Sequence, residues 1–495
     1  SIDGQTLYFY KFKSSLTGIQ NTPTWYLGDG KGNKAAAISV YFNMYFAVAM
    51  DLDRDNLGTA EVPYEIRTQE QMNHIDDSSS YRSKTFVQSC DIKLAGTYSA
   101  PVVKGDFTGS YDATITGKTG YSITGLNENI TNYGYDEGLF ESNSGTLTAV
   151  NLKNSDIRAS YCTNNVGTIA GSNTGKMENC NTASDVSVTV DVNNMFTNEY
   201  LKETNLSYSE SVAMNVGGMV GRLGGDSDMI NCVAEGKLIC YGRGGGGAVM
   251  VGGLTGLSAN EGGVEPDLTK CVSRTDITTY YSSNDYYMYI GGLTGYSMGT
   301  NYFDCSSYSD IKSSAYKAVI GGMVGKAATY YNWTSSYFMV PVFKTSFSRT
   351  SITDYNNTAV TAGFVGETNN LGDEVPEFYN CYASTDFAAA NTDARLFVNQ
   401  NHGGEKFYYC HGVERDGNDM ILSNRFIDGR YDMNSTYDRH CYAYSNPSYI
   451  PGEYVTYMNN AADYTDMANF SGWDTGIWEV KSGAQYPTLI SNPEQ

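Results

Sequence analysis

A glycine-centred hexapeptide recurs six times along the middle of this chain, and each copy is followed by the same second signature. Four copies are complete: Val216-Gly-Gly-Met-Val-Gly221, Val251-Gly-Gly-Leu-Thr-Gly256, Ile290-Gly-Gly-Leu-Thr-Gly295 and Ile320-Gly-Gly-Met-Val-Gly325. Two flanking copies each lose one glycine of the pair, to Thr168 in the first and to Ala362 in the last. Downstream of the copies come Cys180, Cys232, Cys271, Cys305 and Cys381, with Ser346 in the cysteine place of the fifth. Five residues after most of these stands an aspartate. The interval between hexapeptides runs from 30 residues (Ile290 to Ile320) to 50 (Val166 to Val216). A period in this range with variable insertions describes a stacked solenoid, one supersecondary unit per repeat.

The unit is β rather than α. Its apolar and β-branched runs are three to six residues long, too short for a series of helical turns. Paired glycines allow backbone conformations and close approaches that a Cβ forbids, so they mark one bend repeated in every coil. The expectation is an all-β chain folded as a parallel β-helix. Met219, Leu254, Leu293 and Met323, at the hexapeptide centres, should stack inward as one ladder.

The hexapeptides resemble the GLUG repeat of bacterial surface proteins, a motif that looks like one coil of a right-handed parallel β-helix. The segments Tyr64-Glu-Ile66, Cys90-Asp-Ile-Lys-Leu94, Phe107-Thr-Gly-Ser-Tyr111, Ile123-Thr-Gly-Leu126 and Gly138-Leu-Phe140 look like the opening coils of such proteins. Trp473-Asp-Thr-Gly-Ile-Trp478 followed by Tyr486-Pro-Thr-Leu489 looks like their last coil. The resemblance covers residues 63–490. It implies a division into 1–62 as a cap or assembly segment, 63–393 as the repeat body, and 394–495 as C-terminal coils and cap. Within 1–62, the apolar run from Ala35 to Met50 suits one helix or two strands. The Trp473–Trp478 region is expected to close the far end.

Composition narrows the setting. A net charge of −22 disfavours a nucleic-acid partner, since no phosphate-facing basic patch is present. Tyrosine, at 42 residues, outnumbers lysine and arginine together, at 32, and suits the polar outer walls of an extracellular or cell-surface β-protein. No 18-residue apolar run encodes a membrane span. The start at Ser1 is the one expected after removal of a leader or anchor.

Cys180, Cys232, Cys271, Cys305 and Cys381 share one register and should form a buried free-thiol ladder. Cys410 and Cys441 lie outside that register, either paired or free. Asp156, Asp185, Asp276, Asp310 and Asp386 form a second register, read as solvated strand starts or as a carboxylate stripe. One motif points to a metal. Asp51, Asp53 and Asp55 alternate as in calcium loops, with Glu61 beyond them, although Asn56 stands where an EF-hand requires glycine. Calcium is the one cofactor these residues suggest.

Catalysis is not expected. The acids Asp226 and Asp228, Asp373 and Glu374, and Asp416 and Asp419 are scattered, and His74, His402, His411 and His440 lack metal-ligand spacing. No GxSxG, HExxH or phosphate-loop motif is present. The leading reading is an adhesin-like protein binding glycan or a host or bacterial surface protein through lateral tyrosines such as Tyr280, Tyr281, Tyr286, Tyr287 and Tyr289. A subunit of an extracellular filament or pilus is the alternative, and a polysaccharide lyase or hydrolase a third.

Overall fold

A computed structural model describes residues 8–11, 25–28, 34–38 and 58–491, apart from 116–119, 132–135, 161–164, 193–211, 243–247, 260–263, 282–286, 333–335, 372–373, 389–392, 401–404, 418, 422–425, 427–439 and 445–454. Each coil turns through four faces, which in one coil are Ala248–Gly252, Thr255–Ala259, Asp267–Thr269 and Val272–Tyr281. Equivalent strands of successive coils pair in parallel. They build sheets of six, nine and eleven strands on the first three faces, and the fourth lies in a 17-stranded sheet. The chain is a parallel β-helix, as expected.

The glycines of the hexapeptide answer three separate contacts between faces 1 and 2. A Cβ on Gly252 would lie 1.9 Å from Thr255 O, inside the same turn. One on Gly253 would lie 2.2 Å from Gly292 O in the next coil, and one on Gly256 2.4 Å from Val216 N in the previous coil. None of the three adopts a positive φ, so close approach is the requirement. The two degenerate copies keep the corner. Thr168 donates its hydroxyl to Gly218 O at 2.7 Å, and the buried Ala362 accepts the Gly322 N–H at 3.0 Å. Further coils turn the corner without the signature: Phe364 N–H bonds Phe397 O at 3.0 Å, and Phe397 N–H bonds Phe426 O at 2.9 Å.

Inside this corner Met219, Leu254, Leu293 and Met323 are fully buried, the ladder expected of them. Phe364, Phe397 and Phe426 extend it, with ring centroids 4.6 and 4.9 Å apart. Burying each such side chain contributes about 1.5–3 kcal/mol. Face 3 adds a parallel aromatic stack, Tyr302, Phe343, Phe378 and Phe407, at 4.6, 5.0 and 5.0 Å.

A second corner, between faces 3 and 4, is turned by a left-handed residue just before each ladder cysteine or Ser346: Asn179, Asn231, Lys270, Asp304, Thr345, Asn380, Tyr409 and His440, with φ between 46° and 56°. Asparagine and aspartate tolerate this region best, which accounts for four of the eight. The cysteine that follows points inward beneath two carbonyls. Cys271 Sγ lies 3.2 Å from Met229 O and 3.6 Å from Thr269 O, and Ser346 Oγ makes the same contacts at 3.4 Å with Tyr302 O and 3.0 Å with Lys344 O. Cys410 and Cys441 correct the expectation that they stand apart. His411 pairs with Tyr442, so the two cysteines continue the ladder, both buried as free thiols.

The aspartate register also changes. Asp156 pairs with Ser187, Ser187 with Lys237, Lys237 with Asp276, and Ser351 with Asp386. Asp185 falls two residues early and instead accepts the Asn154 N–H at 2.8 Å. Serines and Lys237 interrupt the row, so no continuous carboxylate stripe exists.

Aromatic and helical segments lie at the two ends of the described coils, and most of 1–62, including 39–50 of its apolar run, lies outside the described residues. The N-terminal edge is covered by residues 67–84, a capped helical turn with Met72 and Ile75 buried in the core. Asp76 there accepts the edge N–H of Lys104 at 3.1 Å, which satisfies an otherwise open sheet edge. The described part of 1–62 contains three antiparallel strands, Tyr8–Lys11, Trp25–Gly28 and Lys34–Ile38, in a sheet of their own. At the other end, Trp473 and Trp478 pack sideways on the outer wall of face 4. They enclose Tyr382, His411 and Tyr442 together with Tyr464, Phe470 and Tyr486. Trp478 Nε1 donates to Asn380 Oδ1 at 3.2 Å and Ser384 to Tyr486 OH at 2.7 Å.

Two buried titratable groups make the ends respond oppositely to pH. Glu128 takes the inward position held by Ile157 on the next coil. Burial first, and the neighbouring Glu137 second, push its carboxyl well above the usual 4.5. Burial thus favours its protonated form, so its contribution is complete below about pH 4.5 and is lost as pH rises through its raised folded value. His411, buried in the aromatic enclosure, falls from 6.5 to about 3 through desolvation. Its contribution is complete above pH 6.5 and is lost as pH falls towards 3. Thermal melts across pH should therefore flatten on the alkaline side in Glu128→Gln and on the acid side in His411→Phe. Separately, Gly253→Ala should lower the free energy of unfolding in denaturant by about 1–3 kcal/mol, because backbone lies in the way of its Cβ.

Candidate functional site

Outward tyrosines collect where face 4 ends and face 1 of the next coil begins. Strand alternation puts them there: Ile277 and Thr279 are buried, so Tyr280 projects outward and is 42% exposed. Its ring stacks on Tyr241 of the previous coil, 5.1 Å away and tilted 9°. Tyr287, 44% exposed, stacks on Tyr289 at 5.9 Å, with Lys317 Nζ 5.5 Å from the Tyr287 ring centroid. Tyr316 and Tyr355, on the next two coils, are 52% and 63% exposed. Four exposed rings thus share one lateral edge.

The sequence pointed to part of this edge. Tyr280 and Tyr287 lie where expected, whereas Tyr289 is buried against Tyr296 at 5.2 Å. Both of those rings hold Lys326 Nζ, at 5.1 and 5.4 Å, and Lys326 pairs with Glu367 at 3.1 Å. Tyr289 therefore helps hold the wall and is not a contact residue. Tyr286 and the side chain of Tyr281 lie outside the described residues. Tyr316 and Tyr355 were missed. Counting outward from the aligned Ile277, Ile311 and Ile352 would have found Tyr355.

The suggested metal ligands are not brought together by described structure. Asp51, Asp53 and Asp55 lie outside the described residues. Glu61 is exposed, and hydrogen bonds from its own backbone and from Thr59 hold its carboxyl below the usual range. Among the described residues no group of three or more His, Cys, Asp or Glu is placed to hold a metal.

The scattered acids resolve into one real cluster. Lys176, Asp228, Asp267 and Asn301 line up on the outer wall of face 3. Burial, then Asp267 and Asp226, raise the Asp228 carboxyl. Asn301 Nδ2 bridges Glu265 at 3.0 Å and Asp267 at 2.9 Å. Glu265 and Asp267 were not singled out from sequence, because only the coil register sets Asp267 beside Asp228. Asp416 and Asp419 face each other across a hairpin, and Asp373 lies outside the described residues.

No protein-family model matches this sequence, and no curated protein matches it. Solved structures do. One named IgA1 protease superposes with a TM-score of 0.43 at 17% identity, over 64% of this chain and 21% of its own. A candidate immunoglobulin A1 protease from Bacteroides ovatus superposes with a TM-score of 0.37 at 15% identity, over 88% of this chain and 94% of its own. This chain thus spans about a fifth of the length of the first. Both names are proteases', so the expectation that the chain is not an enzyme is withdrawn. At these scores and identities no activity is transferred in its place. No helix among the described residues is long and apolar enough to cross a membrane.

The exposed and buried tyrosines should separate by stability. Tyr280→Ala and Tyr287→Ala should change the unfolding free energy by less than about 0.5–1 kcal/mol. Tyr296→Ala should cost about 3 kcal/mol or more, as truncation of a buried aromatic does. Denaturant titration of the three variants measures both.

Proposed function

We propose that the chain is an extracellular, adhesin-like β-helix of the GLUG-repeat type that binds neutral glycan along its tyrosine edge. The observation that carries this reading is the gathering of Tyr280, Tyr287, Tyr316 and Tyr355, all more than 40% exposed, on one edge of neighbouring coils. By contrast, Phe364, Phe397 and Phe426 are drawn into an inward stack. Tyrosine offers a flat apolar face and a hydroxyl with little rotamer freedom to lose, which suits recognition of amphipathic rings. The net charge of −22 works against anionic ligands.

Burial makes the thiols compatible with an oxidising exterior. Eight of the nine described free cysteines are buried, and desolvation raises Cys271 and Cys410 well above their usual range, which keeps them unreactive thiols. The glycine corner supports the repeat assignment, since each hexapeptide glycine meets backbone that would collide with a Cβ.

Immobilised neutral oligosaccharides should retain the intact chain, and Tyr287→Ala should weaken retention by roughly two- to tenfold, the scale of one aromatic contact of about 0.5–1.5 kcal/mol. Tyr337→Ala, at an exposed tyrosine on a hairpin away from this edge, should leave it unchanged. Failure of every neutral glycan to bind would count against the reading.

A further inference from the structure

The outer tyrosine row has a gap one coil wide. Tyr241 pairs with Tyr280. On the following coils Thr279 pairs with Ser313 and Ser313 with Asp354. The next backbone bonds, Ser314 N–H to Thr279 O at 3.0 Å and Tyr355 N–H to Ser313 O at 2.8 Å, carry the register one residue further. The row therefore reads Tyr241, Tyr280, Ser314, Tyr355. All four project outward, because the preceding residues Cys240, Thr279, Ser313 and Asp354 are buried.

Strand spacing sets the size of the gap. Two rungs of about 4.8 Å put Tyr280 and Tyr355 about 10 Å apart. A ring inserted midway would sit about 5 Å from each, inside the range of stacked ring contacts. Elsewhere in the solenoid such a position is filled by the protein itself: Phe347, Tyr382 and His411 stack at 4.8 and 5.1 Å without a break. Ser314 puts no ring at this rung, only a hydroxyl, which donates to Thr279 O at 3.5 Å.

We propose that the slot between Tyr280 and Tyr355, floored by Ser314, holds one sugar ring of a neutral glycan. This rests on the glycan-binding reading above and gives it a site. The surround is polar. Thr278, Lys312 and Thr353 form the adjacent outward row, Lys312 is tied to Asp310, and Asn356 Nδ2 donates to Ser314 O at 2.6 Å. Hydroxyls of a sugar can add to the donors and acceptors that these groups have left, which an aromatic side chain from a protein partner cannot do. With Lys312 already neutralised by Asp310, an acidic sugar finds no unmatched cation in this row.

The test is calorimetry of the full chain with cellohexaose, xylohexaose, mannohexaose and chitohexaose. Ser314→Tyr completes the ladder and fills the slot. It should hold or raise the melting temperature while weakening the best oligosaccharide tenfold or more. Tyr280→Ala and Tyr355→Ala, at exposed positions that leave folding intact, should each weaken it by a similar factor. Unchanged affinity in all three variants would overturn the slot and leave the glycan reading standing. Absence of binding by all four sugars would overturn both. An aromatic peptide that binds in their place, and is lost in Ser314→Tyr, would replace the sugar with a protein partner and overturn the proposal.

Discussion

Everything in this molecule follows from the approach of one coil's backbone to the next at the corner between faces 1 and 2. There the Cβ of an ordinary residue would fall within about 2 Å of a neighbouring carbonyl or amide, so glycine is selected and the coils close to strand spacing. Glu141 shows the same constraint from the other side. It stands opposite Gly171, the third hexapeptide glycine, but on a coil with no face-1 strand beneath it. The space taken by backbone elsewhere is open to a side chain, and Glu141 uses it to accept the Gly105 N–H at 2.6 Å.

Once coils are held at that spacing, every side chain has its own counterpart as its nearest neighbour above and below. The ladders of methionine and leucine, of cysteine and of phenylalanine are consequences of this, and so is the tolerance for Thr168 and Ala362, which borrow support from intact coils on one side. Among the inward polar groups, burial favours the neutral form of Glu128, and the thiols lie beneath carbonyls. Lys326, at the outer seam of faces 1 and 2, is neutralised by Glu367 and two aromatic faces.

The fold was legible because its constraint is periodic. The hexapeptides marked a corner, and the Cys271 and Cys305 register marked a face. What sequence spacing could not supply was the count of residues lost or gained in loops. Asp185 looked equivalent to Asp276 by distance from a cysteine, yet a turn at 183–186 moves Ser187 into that row. Cys410 and Cys441 looked separate because no glycine signature precedes them, although Tyr409 and His440 turn the same left-handed corner. The Trp473–Trp478 segment resembled a last coil, but its aromatic partners, Tyr382 and His411, lie on an outer wall that only the folded register reveals. At the candidate site Tyr355 was within reach of a simple count from Ile352, whereas Tyr316 was not, since it lies beyond Ser313, the last strand residue of its coil on face 4.

A solenoid of ladders also suggests where recognition arises in such a chain. Unbroken stacks satisfy their own ring faces, and present a partner mainly with edges. A ring face becomes available where a ladder ends or skips a rung. The stack of Tyr241 on Tyr280 ends at Ser314, and Tyr355 resumes one coil later. Substituting a small residue at one outward rung thus creates a ring-sized opening without touching the core, because Thr279, Ser313 and Asp354 behind it remain buried. The core and the opening are set by alternate residues of the same strands, so the rungs that could vary in ligand preference are not the rungs that hold the coils together.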